Sequence, residues 1–95
     1  MAKMIATISI TDVLQPGIIR DILLEVKRAK ELHPKFPDTL VKRTAIMAEE
    51  AGEAIKEANL IEDEGKGSIE NYKAELIQTA AMCVRILEAM ENEDE

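Results

Sequence analysis

The chain reads as an all-α subunit of three helices that forms a helical bundle by self-association, and three observations predict this. The first is composition: 46% of the 95 residues are hydrophobic but only 2% are aromatic. The core must therefore be built from Ile, Leu, Val, Met and Ala, which suit helices in close contact. The second is periodicity, since apolar residues recur three and four apart in three segments separated by breaks containing Pro or Gly. The third is that the last segment is apolar or small at nearly every position from 76 to 87. A helix apolar all round is buried all round. Two other helices of so short a chain can hardly enclose it, so a second copy is expected over its remaining face.

Residues 4–11 are rich in β-branched side chains and alternate at their end, which fits a short strand or an extended arm. Residues 1–16 therefore read as an extended lead-in, closed by Pro16-Gly17. The first helix is expected over 18–31, where Ile18, Ile22, Val26 and Ala29 recur at helical spacing and Ile19, Leu23 and Leu24 widen the face. His33-Pro34-Lys35-Phe36-Pro37 ends it, because each proline disfavours helical backbone in the residue before it. Asp38 is the expected N-cap of a second helix running to about Leu60. The polar turn 61–67 contains two glycines, and Ser68 then caps a third helix from Ile69 to about Met90. Residues 91–95 form a like-charged tail with nothing to bury and are expected to be disordered. The whole chain, 1–95, reads as one domain.

No apolar run approaches the roughly 20 residues of a membrane-spanning helix, and the N-terminus lacks the apolar core and cleavage site of a secretory signal. A cytosolic protein without a membrane partner is expected. Cys83, the single cysteine, cannot form an intrachain disulfide and sits among apolar residues, where a thiol behaves as a small buried hydrophobe. Met47, Met82 and Met90 read as core. The net charge of −7 is uneven: residues 1–48 carry eight Lys/Arg against five Asp/Glu, and residues 49–95 carry four against fourteen. An acidic half argues against a nucleic-acid polymer as partner and is compatible with cations.

The acidic residues of the second helix have a pattern. Ile46, Glu50, Glu53 and Glu57 lie on one stripe, flanked by Ala45, Ala48, Gly52 and Ile55 on one side and by Met47, Ala51, Ala54 and Ala58 on the other. The carboxylates thus sit inside an apolar surface, and burying an unpaired carboxylate is costly. Basic partners, trapped water or a divalent cation would compensate, and Mg²⁺ is a hard cation that takes carboxylate oxygens. In the third helix Glu75 and Gln78 repeat the spacing, with Met82 and Arg85 continuing their stripe. If the two helices pack antiparallel, Glu50, Glu53 and Glu75 converge with Gln78 beside them. Arg85, among apolar neighbours, needs an anionic partner, either a phosphate or a protein carboxylate.

Ala48-Glu49-Glu50-Ala51-Gly52-Glu53-Ala54 followed by Ala74-Glu75-Leu76-Ile77-Gln78 resembles the Glu-x-x-Glu, spacer, Glu-x-x-Asp pattern of the MazG-like nucleoside triphosphate pyrophosphohydrolases, over roughly residues 30–90. The resemblance implies Mg²⁺-dependent hydrolysis of a nucleoside triphosphate to the monophosphate and pyrophosphate, with Mn²⁺ as a substitute, in a homo-oligomer, dimer or tetramer. It implies Glu50, Glu53 and Glu75 as metal ligands, and Glu53 is the expected proton acceptor. Gln78 stands where the family has Asp. It keeps a carbonyl ligand but loses a charge, so the site is weakened, completed by Glu49 or Glu57, or no longer catalytic. Arg85, Lys42, Arg43, Lys73 and His33 are the expected substrate contacts, with Phe36 and Tyr72 as further candidates beside the base. The alternative function is a non-catalytic oligomerisation or partner-binding module of the same fold.

Overall fold

The computed structural model describes residues 9–93, and among them it is all helical. A single turn, α1 (Ile10–Val13), precedes three long helices: α2 (Pro16–Leu32), α3 (Leu40–Glu62) and α4 (Ile69–Glu93). The expected all-α class is thus observed, with three long helices where three were predicted. Residues 10 and 11 lie in α1 rather than in a strand, and the rest of the predicted strand lies outside the described residues, Ser9 apart. The turn is closed by the Asp12 amide donating to the Ser9 carbonyl at 3.0 Å, so the lead-in is not extended throughout.

Helix α2 begins two residues earlier than expected, because Pro16 occupies its first position, where the missing N–H would have no partner. Its buried stripe is Val26 and Ala29 with Ile22 packed against them. Ile18 is exposed instead of continuing this stripe, and Leu23 and Leu24 are exposed instead of widening the face. The His33 amide donates to the Ala29 carbonyl at 2.8 Å, and Pro34 then stops the helix.

The N-cap of α3 is Thr39, one residue beyond the expected Asp38. Its backbone is extended and its hydroxyl accepts from the Lys42 amide at 3.2 Å, meeting a donor that the first helical turn leaves orphaned. Helix α3 ends at Glu62, and the Lys66 amide closes the end by donating to the Leu60 carbonyl at 2.7 Å. Gly65 and Gly67 adopt φ of +63° and +78°, which a side chain opposes. At Gly67 a Cβ would also stand 3.1 Å from the Leu60 Cβ and 3.3 Å from the Glu57 carboxyl carbon. Ser68 caps α4 as expected, its hydroxyl accepting from the Asn71 amide at 2.9 Å. Its own amide donates to Glu57 Oε1 at 3.3 Å. Helix α4 continues through Glu93, into the segment expected to be disordered.

Helix α4 packs against both α2 and α3. The core joins Val26 and Ala29 of α2 to Ala81 and Met82 of α4, with Phe36, Ile46, Met47 and Val84 packed around them. Ala81 is 0% exposed. The remainder of α4 is less covered. Cys83, Leu76, Leu87 and Met90 are exposed in the single chain, so Cys83 and Met90 are not core residues of one subunit. The reason is geometric: α2 and α3 both pack on α4, and among the described residues no further long helix covers the rest of it. No helix among the described residues is long and apolar enough to cross a membrane.

Gly67→Ala is expected to lower stability by about 1–2 kcal/mol, from the positive φ and the close approach to Leu60 together. Urea unfolding followed by circular dichroism measures it, with Gly17→Ala, in open helical backbone, as the comparison that costs nothing.

Candidate functional site

The antiparallel α3 and α4 bring the two acidic turns together, and α2 adds a third element. A cavity of about 390 Å³ opens between them and the 33–39 loop. One end carries Glu25, Arg28, Glu50 and Gln78, the other His33, Lys35, Phe36 and Arg85, and Ile46 and Met82 lie between. A second cavity of about 400 Å³ adjoins it between α3 and α4 and is lined by Glu53, Lys56, Glu57, Asn71, Glu75 and Gln78, among others. Gln78 borders both.

Glu50 is the most perturbed acid. Burial pushes its carboxyl above the usual carboxylate range, and a hydrogen bond with Glu75 and the charges of Glu75, Glu49 and Glu25 push the same way. Glu75 is itself partly buried, and its Oε2 is shielded from solvent with no hydrogen-bond partner. An acceptor oxygen left in that state is uncommon, because the desolvation is uncompensated. Glu53, by contrast, is exposed and faces the second cavity. The structure therefore brings Glu50 to Glu75 and sets Glu53 beside Glu75 and Gln78, in the neighbouring cavity. Glu57 is committed to the Ser68 amide. Among the described residues no three His, Cys, Asp or Glu side chains are grouped so as to hold a metal ion.

The basic residues divide by partner. Arg85 is 6% exposed and stacks over the Phe36 ring, 4.4 Å from its centroid, while donating to the His33 carbonyl at 3.0 Å. Burial pulls its pKa down, and Glu88 opposes the shift. A backbone oxygen and an aromatic face thus stand where a carboxylate or phosphate was expected, although Arg85 still lines the cavity. Arg43 is also buried. Its Nε donates to the Pro37 carbonyl at 2.6 Å and its guanidinium lies 5.9 Å from the Phe36 ring. This arrangement fastens the loop to α3, and Arg43 does not line the cavity. Lys42 and Lys73 are exposed and line neither cavity. His33 lines the first cavity, whereas Tyr72 lies in a separate groove with Ile55 and Leu76.

Sequence reasoning missed Glu25 and Arg28. The Glu25 side chain is 14% exposed and accepts two hydrogen bonds from Arg28, at 2.9 Å from Nε and 2.6 Å from Nη2. A signal was present: Glu25 lies three residues after Ile22 and four before Ala29, on the stripe that α2 buries. No family model, curated protein or solved structure matches this chain.

The sign of the Glu50 shift fixes a pH dependence. The folded chain holds the Glu50 proton more tightly than the unfolded chain, so this contribution to stability is complete below the ordinary value of 4.5 and is lost as pH rises through the raised value. Without divalent cations, Glu50→Gln is expected to gain stability relative to the parent chain as pH rises above 4.5, levelling off once Glu50 is ionised in both states. Paired urea titrations at several pH values measure the difference.

Proposed function

We propose that the chain is an Mg²⁺-dependent nucleoside triphosphate pyrophosphohydrolase that acts in the cytosol as a homo-oligomer. The observation that carries this reading is the Glu50–Glu75 pair, with its buried, unpartnered Oε2, beside a cavity that also presents Arg28, Lys35 and His33. The donor set fits the cation. Mg²⁺ is commonly bound through one or two carboxylates, its other positions going to water and phosphate oxygens, and it needs no all-protein cage. Glu50 and Glu75 supply the carboxylates and Gln78 a neutral carbonyl, with Glu53 on the adjoining wall.

When bound, Mg²⁺ would neutralise the triphosphate and make a phosphorus atom more open to attack by water. The chain's own residues do the rest. Glu53, exposed and ionisable at the border of the second cavity, accepts the proton of the attacking water. The loop side of the first cavity, with Leu32, Phe36 and Pro37, supplies an apolar surface for the base and excludes water from it. His33 offers a hydrogen bond there. Arg85 and Arg43 hold the loop that forms this wall, and Arg85 reaches substrate only along the cavity edge.

Self-association is supported by exposed apolar side chains on the side of α3 and α4 that carries Tyr72. Ile55 and Leu76 flank one groove, and Leu87 is 63% exposed about three turns beyond Leu76 on α4. On α3, Val41, Ala45, Ala48, Gly52 and Ile55 are all exposed at three- and four-residue spacing. Small residues on one helix beside large ones on the next make a face complementary to itself under a two-fold axis. The second reading, a non-catalytic module, is favoured by Gln78, and it keeps this face but not the chemistry.

Release of pyrophosphate from a panel of ribo- and deoxyribonucleoside triphosphates, with Mg²⁺, Mn²⁺ or chelator, tests the reaction. Metal-dependent formation of a monophosphate is expected, and Glu50→Gln and Glu75→Gln are each expected to lose turnover by about 100-fold or more while remaining folded. A well-folded chain inert across the panel would leave the module reading. Light scattering is expected to give the mass of at least two chains, and Leu76→Glu with Leu87→Glu is expected to weaken association at least about tenfold, since each buries a charge against an apolar partner.

A further inference from the structure

Arg28 has an unusual position for a helix-surface cation. Its partner Glu25 is largely buried and lines the first cavity with Glu50, which in turn meets Glu75, while the Arg28 side chain is itself 54% exposed. Both Glu25 oxygens are occupied by the guanidinium, in the bidentate geometry that matches a carboxylate. Arg28 lines the first cavity together with Glu50 and Gln78. It also lines a shallower one with Asp21, Glu25 and Gln78, so it stands at the border of the two, where solvent reaches the acidic residues. The structure thus contains a positive charge already held inside its carboxylate group, and a carboxylate oxygen, Glu75 Oε2, that this charge does not satisfy.

We infer that Arg28 is the resident counter-charge of Glu25 and Glu50, that a divalent cation binding at Glu50 and Glu75 competes with it, and that the guanidinium thereby freed becomes a ligand for the substrate's phosphates. The inference rests on the proposed reading of Glu50 and Glu75 as cation ligands. Two like-signed groups cannot share one set of carboxylates without repulsion, so cation entry loosens the hold of Glu25 on Arg28. A guanidinium is suited to the second role, because its planar fork matches phosphate as well as carboxylate. Its exposed side chain can turn without unpacking the core. Glu25 then acts as a positioning residue: it holds Arg28 near the cavity in the free chain and takes part of the cation's charge in the loaded one.

The test is Mn²⁺ binding to the full chain without nucleotide, followed by the paramagnetic resonance signal of free Mn²⁺, for the parent chain and for Arg28→Gln and Arg28→Lys. Arg28→Gln is expected to bind Mn²⁺ on the order of tenfold more tightly, the size of effect typical of groups around a metal site. In saturating Mn²⁺ the same variant is expected to bind a non-hydrolysable triphosphate analogue about tenfold more weakly. Arg28→Lys, which keeps the charge and loses the fork, is expected to lie between. Far-UV circular dichroism identifies any variant that has not folded, and Arg28→Lys then carries the comparison. Equal or weaker Mn²⁺ binding by both variants overturns the inference while leaving the cation site standing. Absence of Mn²⁺ binding by the parent and the variants alike overturns the cation reading and this inference with it.

Discussion

The structure depends on α4 lying against both α2 and α3, with Ala81 fully buried in the core between them. That contact draws the polar residues of α4 inward with the apolar ones. Glu75, Gln78 and Arg85 lie at three- to seven-residue intervals along a stripe that also contains the buried Met82, so they cannot all turn to solvent while Ala81 and Met82 remain packed. A larger side chain at 81 would separate the helices and relieve the polar burial together with the packing. The perturbed acid and the buried arginine are thus consequences of the same contact that makes the core.

How α4 meets this burial differs along its length. At Arg85 the chain answers desolvation with an aromatic face and a carbonyl oxygen, and the charge of Glu88 acts in the same direction. At Glu75 one oxygen is left without a partner. The two ends of the cavity therefore differ: on the loop side the buried cation has partners, and on the acidic side a shielded carboxylate oxygen has none.

Much of the fold was legible from spacing alone. The stripe Ile22, Val26 and Ala29, the Ser68 cap and the turn around Gly65 and Gly67 follow from local sequence, because each is set by residues within one or two turns. The start of α3 shifted from Asp38 to Thr39, as two neighbouring residues that can both cap are separated by backbone geometry, and Thr39 is the one whose backbone is extended at the helix start. Cys83 and Met90 illustrate a different limit. Their apolar surroundings in sequence indicate burial, but nothing among the described residues of the chain covers them. In the site, the approach of Glu50 to Glu75 was readable from matched spacing on two antiparallel helices. The contribution of Glu25 and Arg28 depended on which side of α2 meets α4. The partners of Arg85 were not readable, because a backbone carbonyl leaves no mark in a sequence.

The clamp around Phe36 has a consequence for what acid does to this molecule. Arg43 and Arg85 hold the loop through the carbonyls of Pro37 and His33 and through a hydrocarbon ring, none of which takes up a proton. The opposite wall is built from carboxyl groups, and these do. Acid therefore reaches Glu50, whose proton is already held more tightly than an ordinary carboxyl's, without touching the two carbonyl contacts that fasten the loop.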